Sequence, residues 1–329
     1  MKKVSVVIPT YNRARFLPVA VESIVRQDYP NIEIIIVDDG STDSTESVVH
    51  DLVAEFPVIV YCKNERTKGP SGARNSGIIK ASGEYVAFLD SDDMWMHGHL
   101  FRGVQFLEAN DDVDVLFGNF EVVEYKTKKH LYYFFGQKQV LFSLQSENRE
   151  SEFRVLRDNL FLALTRVNFF HLGTSTIKRS MAQNVLLDES IMHGEDRDFA
   201  IRLYQEANAT FAFRATPTYI LHRHDSNLTN SDNVREMQRA GENTVYSFMK
   251  YMKNYQLSYS EKENLRRCLS EELLSLAFRH RKQKNYKNAI LKTIFSARFK
   301  LSLKQIVEIL KILCESISSL ASYLHLRRV

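Results

Sequence analysis

VSVVIPTYNR at residues 4–13, IEIIIVDDGSTDST at 32–45 and GEYVAFLDSDD at 83–93 are the three stretches that decide the fold. Each begins with a run of β-branched and aromatic residues and ends in a polar tip. The tips are Pro9-Thr10-Tyr11-Asn12, Asp38-Asp39-Gly40-Ser41-Thr42-Asp43 and Asp90-Ser91-Asp92-Asp93. The runs Val4–Ile8, Ile32–Val37 and Glu84–Leu89 read as strands, and Val58–Tyr61 as another. Between them, Ala14–Val25 and Ser44–Phe56 carry helical spacing, with Asp43 or Ser44 as N-cap of the second and Glu46 in its first turn. Strands alternating with helices predict an α/β fold: an open, mostly parallel sheet with helices on both faces. Ligands bind beyond the carboxyl ends of the strands in such a sheet, so the three tips converge on one rim. One acidic tip can be a helix cap; three argue for a site.

Working outward, Asp114–Val123 reads as a further strand and 124–150 as an irregular, aromatic insertion. Helical signals follow at Phe153–Leu164 and Asp196–Glu206, and a strand at Thr218–Leu221. Beyond residue 232 the pattern is wholly helical, with Gly241 as its one glycine and no proline. A boundary near 230–240 is expected, dividing the chain into 1–231 and a helical, basic 232–329.

The composition, 44% hydrophobic and 26% charged over 329 residues, is that of a globular protein. The net charge of +4 is unevenly placed, with twelve Lys or Arg against two Glu from Arg279 to Val329. That imbalance points to an anionic partner such as a membrane surface or a polyanion, against the plainer reading of a solvated basic face. Cys62, Cys268 and Cys314 are odd in number and far apart, which suits reduced thiols in a cytoplasmic protein. No apolar signal region precedes the first strand, and no run of about 18 apolar residues predicts a membrane-spanning helix.

Asp90 and Asp92 stand two apart, and an extended backbone would turn both carboxylates toward one hard cation. The plainer alternative is a turn in which Asp92 or Asp93 caps a helix. Lys68-Gly69-Pro70-Ser71-Gly72-Ala73-Arg74-Asn75 enters a helix that runs to about Ala81, and backbone N–H groups there can face phosphate. It lacks the ending of a Walker A loop. Arg74 in the first helical turn opposes the helix dipole, which favours an anion nearby, although an exposed arginine needs no such reason. Glu195-Asp196 at a helix start is either a cap or a general base for a hydroxyl. His222 and His224 would share one side of a strand, facing either a metal site or solvent.

Together these segments resemble glycosyltransferase family 2, the inverting group with the GT-A fold. The matching strings are VSVVIPTYNR, IEIIIVDDGSTDST, GPSGARNSGI, GEYVAFLDSDD and, more loosely, GEDRDFAIRL and RHDSNLT, spanning residues 4–229. The resemblance implies a nucleotide-binding half at 1–120 and an acceptor half at 121–231. It places Pro9, Thr10, Tyr11, Asn12, Asp39, Arg74, Asp90 and Ser91 around the donor nucleotide, with Thr10, Tyr11 and Asp39 lining its base and ribose pocket. Asp92 and His224 would hold a divalent metal, Mn²⁺ or Mg²⁺, with His222 as the rival histidine. Asp196 would be the catalytic base and Glu195 would orient the acceptor or the base; Asp198, two positions on, should point away. The implied reaction is one in-line displacement from a nucleotide sugar, UDP-linked by family habit, onto a saccharide or lipid-linked saccharide in bacterial surface polysaccharide synthesis.

In the tail, Ile306, Ile309, Leu310, Leu313, Ile317, Leu320 and Leu324 form one helical stripe with Lys304, Glu308, Lys311 and Glu315 off it. It suits packing on neighbouring helices, self-association into a homo-oligomer, or a place at the cytoplasmic face of an anionic membrane. No nucleic-acid partner is expected. The rival functions are a nucleotidyltransferase, which has no use for Glu195-Asp196, and a non-catalytic nucleotide- or carbohydrate-binding protein.

Overall fold

The computed structural model describes residues 1–225, 227 and 234–326, with side chains as far as Ile317. Two compact units are present, Met1–Asn227 and Leu228–Val329. The expected join at 231/232, and Ser226, Leu228 and Thr229 of the RHDSNLT string, lie outside the described residues.

In the first unit, β1 (Val4–Thr10), α1 (Leu17–Val25), β2 (Ile32–Asp38), α2 (Thr45–Glu55), β3 (Ile59–Lys63), α3 (Pro70–Lys80) and β4 (Tyr85–Phe88) alternate as the spacing predicts. β1 pairs in parallel with β2 and β4, and β2 with β3. Val4, Val6 and Ile8 of β1 join the buried cluster that holds Leu17, Ala20, Val21 and Ile24 of α1. Val7 points the other way, against α3, where a Cβ on Gly77 would stand 2.3 Å from Val7 Cγ1. Helices therefore cover both faces of β1, which is why its run is apolar without alternation.

The second half of the unit adds β5 (Met94–Trp95), α4 (His99–Ala109), β6 (Val115–Glu124), β7 (His130–Tyr133), α5 (Gln139–Ser143), β8 (Ser146–Asn148), β9 (Phe153–Leu156), α6 (Leu160–Arg166), β10 (Thr176–Lys178), α7 (Arg179–Val185), α8 (Glu195–Glu206) and β11 (Phe211–Arg223). One sheet runs β3-β2-β1-β4-β10-β6-β11-β9-β8, with β5 added on β11 and β7 on β6. β10 is antiparallel to both β4 and β6, while β11 is parallel to β6. Hence β3, β2, β1, β4, β6 and β11 share one direction, and their carboxyl ends share one edge.

Two expectations are corrected here. The 124–150 insertion contains β7, α5 and β8 and is part of the sheet. Phe153–Leu164 is not one helix: Phe153 and Val155 alternate into the core as β9 pairs with β11. The helix begins only after Asn159, whose side chain caps it by accepting from Leu162 N at 3.0 Å.

The second unit comprises α9 (Val234–Asn254), α10 (Tyr259–Lys282), α11 (Tyr286–Ala297) and α12 (Leu303–Leu326). Ser258 and Glu261 form a reciprocal capping box at the start of α10, with Ser258 N donating to Glu261 Oε2 at 2.8 Å. Leu265, Leu269, Leu273 and Leu276 bury one face of that helix. Among the described residues no helix is long and apolar enough to cross a membrane.

Candidate active site

The rim at the carboxyl ends of β1, β2 and β4 forms as the tips predict, but its side chains divide the work unequally. Asn12, in a left-handed conformation (φ 54°), is a strut. Its Oδ1 accepts from Thr42 N at 2.8 Å and Asp43 N at 3.3 Å, tying the first tip to the second. Asp38 is buried and accepts from Ser41 N at 2.8 Å and the Tyr61 hydroxyl at 2.9 Å. Asp39 accepts from Asn64 Nδ2 at 2.6 Å and Gly69 N at 2.8 Å, so it also fixes the entry to α3. Burial lifts its carboxyl above the usual range despite these donors. Pro9 and Thr10 close β1, and Tyr11 stands exposed with Lys68 over its ring at 4.6 Å. Ser44 sits at the N-cap of α2 but makes no side-chain cap; Asp43 instead accepts from Thr45 N at 3.0 Å.

The third tip departs from its expected geometry. β4 ends at Phe88, and Asp90–Asp93 is a turn in which Asp93 N donates to Asp90 O at 3.1 Å. The backbone is not extended, so the carboxylates two apart take different partners. Asp90 Oδ1 accepts from Arg74 at 2.7 Å. Asp92 Oδ2 accepts from Arg13 Nε at 3.1 Å and lies 3.1 Å from His224 Nε2. Asp93 pins the turn to β11, accepting from the Tyr219 hydroxyl and from His222 N at 2.8 Å. Neither Asp92 nor Asp93 caps a helix, since Gly98 holds that position for α4. Ser91 is buried in the same turn.

The parallel alignment of β11 brings its carboxyl end to this edge. His222 and His224 both reach the Asp92 residue but by different atoms. His222 Nδ1 meets the Asp92 backbone oxygen at 3.0 Å, while His224 meets the carboxylate. Phe16 stacks on His224 with ring centroids 4.6 Å apart. Burial would raise the Asp92 carboxyl, but the His224 hydrogen bond and the Arg13 charge bring it below its usual value.

Arg74 joins this turn to the Glu-Asp element. It is 5% exposed, and its two terminal nitrogens go to Asp90 at 2.7 Å and Glu195 Oε1 at 3.0 Å. Burial works against its charge, but Asp90, Glu195 and Asp196 outweigh that and raise its pKa. α8 starts after Gly194, whose left-handed φ of 80° suits a residue without Cβ, and so projects Glu195 and Asp196 toward Arg74. Asp196 Oδ2 accepts from Leu172 N at 3.0 Å. Asp198, two residues on, is buried, with its Oδ2 3.9 Å from an Arg202 nitrogen. Burial first, then the Asp196 charge, pushes the Glu195 carboxyl up to about 7 against the pull of Arg74. Burial also raises Asp196.

Thr10 Oγ1, Arg74 Nε, His171 Nδ1 and Asp196 Oδ1 are buried without a hydrogen-bond partner. Each such group costs about 1–3 kcal/mol, a cost that a polar ligand at the rim would offset; Tyr85, at the other end of β4, and His280, in the second unit, bury the same kind of atom away from it. His171 was not legible in the sequence. It packs on Phe120 and Tyr219 at 4.8 and 5.4 Å, and burial holds its imidazole below the usual value, with Arg74 adding to that and Asp90 and Glu195 opposing it. Nothing local in the sequence around it signals this; only the approach of β4, β6 and β11 brings it in. Arg13 lay inside the first quoted stretch but without an assigned role.

Residues 5–181 match the family described as Glycosyl transferase family 2. The chain belongs to this family. It is 31% identical over 299 residues to the GalNAc(5)-diNAcBac-PP-undecaprenol beta-1,3-glucosyltransferase of Campylobacter jejuni, covering 90% of this chain and 88% of that protein. It is 35% identical over 120 residues to the UDP-Glc:alpha-D-GlcNAc-diphosphoundecaprenol beta-1,3-glucosyltransferase WfgD of Escherichia coli, covering 36% of this chain and 46% of that one. Among solved structures, S. aureus TarS 1-349 in complex with UDP superimposes with a TM-score of 0.60 at 17% identity, covering 97% of this chain and 92% of that one. The mannosyltransferase PcManGT from Pyrobaculum calidifontis, in complex with GDP-Man and Mn²⁺, gives 0.57 at 19% identity over 98% and 81%. The fold is GT-A, and this family 2 member is a glycosyltransferase, which sets aside the nucleotidyltransferase and binding-protein readings.

Proposed function

We propose that this glycosyltransferase moves a sugar with inversion from a UDP-linked donor to a hydroxyl of a lipid-linked saccharide, in assembly of a bacterial surface polysaccharide. One observation carries the reading: Arg74 bridges Asp90 of the acidic turn and Glu195 beside Asp196. The departing end and the attacking end of a displacement thus lie one side chain apart. The donor nucleotide rests on the half at 1–120, against Pro9, Thr10, Tyr11, Asp39 and Ser91, and the acceptor on 121–231. The printed activities of the Campylobacter and E. coli relatives, both on undecaprenol-linked saccharides, support the acceptor class. WfgD and the TarS complex support uridine.

Asp196 takes the proton of the acceptor hydroxyl, whose oxygen bonds to the anomeric carbon as the bond to the diphosphate oxygen breaks and its electron pair leaves with the diphosphate. Glu195, tied to Arg74, orients Asp196 and the acceptor. The donor set fits a divalent cation: Asp92 and His224 converge to 3.1 Å, and Asp92 is held ionised. Among the described residues no three acidic, His or Cys side chains group as a metal centre, so phosphate oxygens and water would have to complete the ion's shell. Bound there, Mn²⁺ or Mg²⁺ would offset charge on the diphosphate.

A panel of nucleotide sugars with purified protein and Mn²⁺ or Mg²⁺, followed by nucleoside diphosphate release, tests this reading. Chelator-sensitive release from one uridine donor is expected. Release that ignores chelator would remove the metal from the account, and release from no donor would overturn it.

A further inference from the structure

From Leu273 to Val307 the chain carries nine Lys or Arg and no Asp or Glu, and beyond that only Glu308 and Glu315 are acidic. The second unit places those two glutamates with care. Arg281 of α10, itself 6% exposed at its side chain, binds Glu308 Oε1 at 2.8 Å through Nε and Glu315 through its other end. Gln305 and Ile312 are buried on the same side of α12. With Gln305 and Ile312 buried and Glu308 and Glu315 paired with Arg281, their own side chains 12% and 45% exposed, α12 leaves Leu303, Ile306, Val307, Leu310, Leu313 and Ile317 exposed in one stripe, from 43% at Leu313 to 78% at Leu303. The stripe is about 21 Å long at 1.5 Å per residue. Lys304 and Lys311 stand exposed along its flank. α11 repeats the chemistry on a smaller scale: Lys287, Leu291, Ile294 and Arg298 are exposed at four- and three-residue spacing, and the helix has no acid.

We infer that the outward face of α12, aided by the stripe on α11, docks on an anionic membrane surface. Six apolar side chains in one exposed row are more than scattered surface hydrophobics and call for a cover. A second copy of the helix would meet the uncharged Ile309 and Ser316 beside the stripe and no unpaired acid to answer Lys304 or Lys311, since Arg281 already holds Glu308 and Glu315. Coiled-coil partners are normally chosen by opposite charges at those positions. An anionic lipid surface answers both features: the stripe enters the acyl boundary while the lysine stems reach up to the headgroups. The inference deepens the reading of a lipid-linked acceptor, yet it stands on the second unit alone, so the two can fail separately.

Co-sedimentation of the full chain with phosphatidylcholine vesicles, with and without phosphatidylglycerol, tests it. Binding is expected only with phosphatidylglycerol and should weaken with salt. Leu310→Glu, at an exposed position, should lower binding at least tenfold with unchanged helical circular dichroism. Lys304→Gln and Lys311→Gln should each cost about fivefold. A chain that ignores phosphatidylglycerol, or a Leu310→Glu variant that sediments like the wild type, would overturn the inference. So would a dimer in sedimentation equilibrium that Leu310→Glu splits while vesicle binding persists, since the face would then belong to a second copy. Metal-dependent donor turnover, measured on the same Leu310→Glu sample, should be unchanged, which separates a docking failure from a failure of the transferase reading.

Discussion

The rim of the sheet and the face of α12 both gather charge, but they arrange it in opposite ways. At the rim, opposite charges are buried and interlocked: Arg74 between Asp90 and Glu195, and Asp92 between Arg13 and His224. On α12, Arg281 pairs with both acids and the lysines are left outside without such a partner from α10. Buried pairs in low dielectric set protonation states and fix geometry at a cost in stability. Exposed, sorted charge does neither; it selects a partner. The rim is built to do chemistry and the helix face to be somewhere.

The largest way to break that contrast is at Asp92. Asp92→Asn should lower kcat/KM about a hundredfold or more, with most of the loss in nucleoside-diphosphate affinity measured in the presence of Mn²⁺. A mild effect would place the metal elsewhere. Arg74 is next. Removing one partner of a buried ion pair costs about 3–5 kcal/mol, so Arg74→Gln should lower the melting temperature sharply and Arg74→Lys less so. The Arg74 charge also favours the ionised form of the Asp196 base, so its loss in Arg74→Gln should move the acid limb of the kcat profile to higher pH. An unmoved limb in a folded Arg74→Gln protein would separate Arg74 from the base, while Arg74→Lys, which keeps the charge, should leave the limb nearly in place.

A subtler test uses stability against pH. The Glu195 carboxyl rises from 4.5 to about 7 in the fold. Its contribution is therefore fully present below about pH 4.5 and is lost as the pH climbs through about 7. Glu195→Gln should flatten the decline of stability across that window, and an unchanged slope would contradict the assignment. The smallest effect belongs to the second unit. Ser258→Ala should remove the capping box and about 1 kcal/mol of stability, read by denaturant unfolding, with no change in donor turnover.

The same contrast explains what could be read in advance. Parallel strands place their last residues on one edge, so the tips after β1, β2 and β4 announced the rim from sequence alone. The pairing inside the rim was not announced. Asp90 and Asp92 look like one ligand pair in the sequence, and the turn closed by Asp93 N sends them to different partners. His171 joins them only through packing between distant strands. Asn12 and Asp39 sat in the expected strings, yet in the fold they brace loops. The β9 strand was hidden because two buried positions, Phe153 and Val155, also suit the start of a helix. In the tail, helical periodicity gave Ile306, Leu310, Leu313 and Ile317 of the stripe, but it included the half-buried Ile309 and missed Leu303 and Val307, and the side chains of Leu320 and Leu324 lie outside the described residues.

Asp196→Asn tests the central claim most directly. With the uridine donor identified, single-turnover transfer and donor binding would be measured side by side for wild type and variant. The account predicts a loss of transfer of about 10²–10⁴-fold with donor affinity nearly intact. Undiminished transfer, or a loss explained wholly by weaker donor binding, would contradict the assignment of Asp196 as the base.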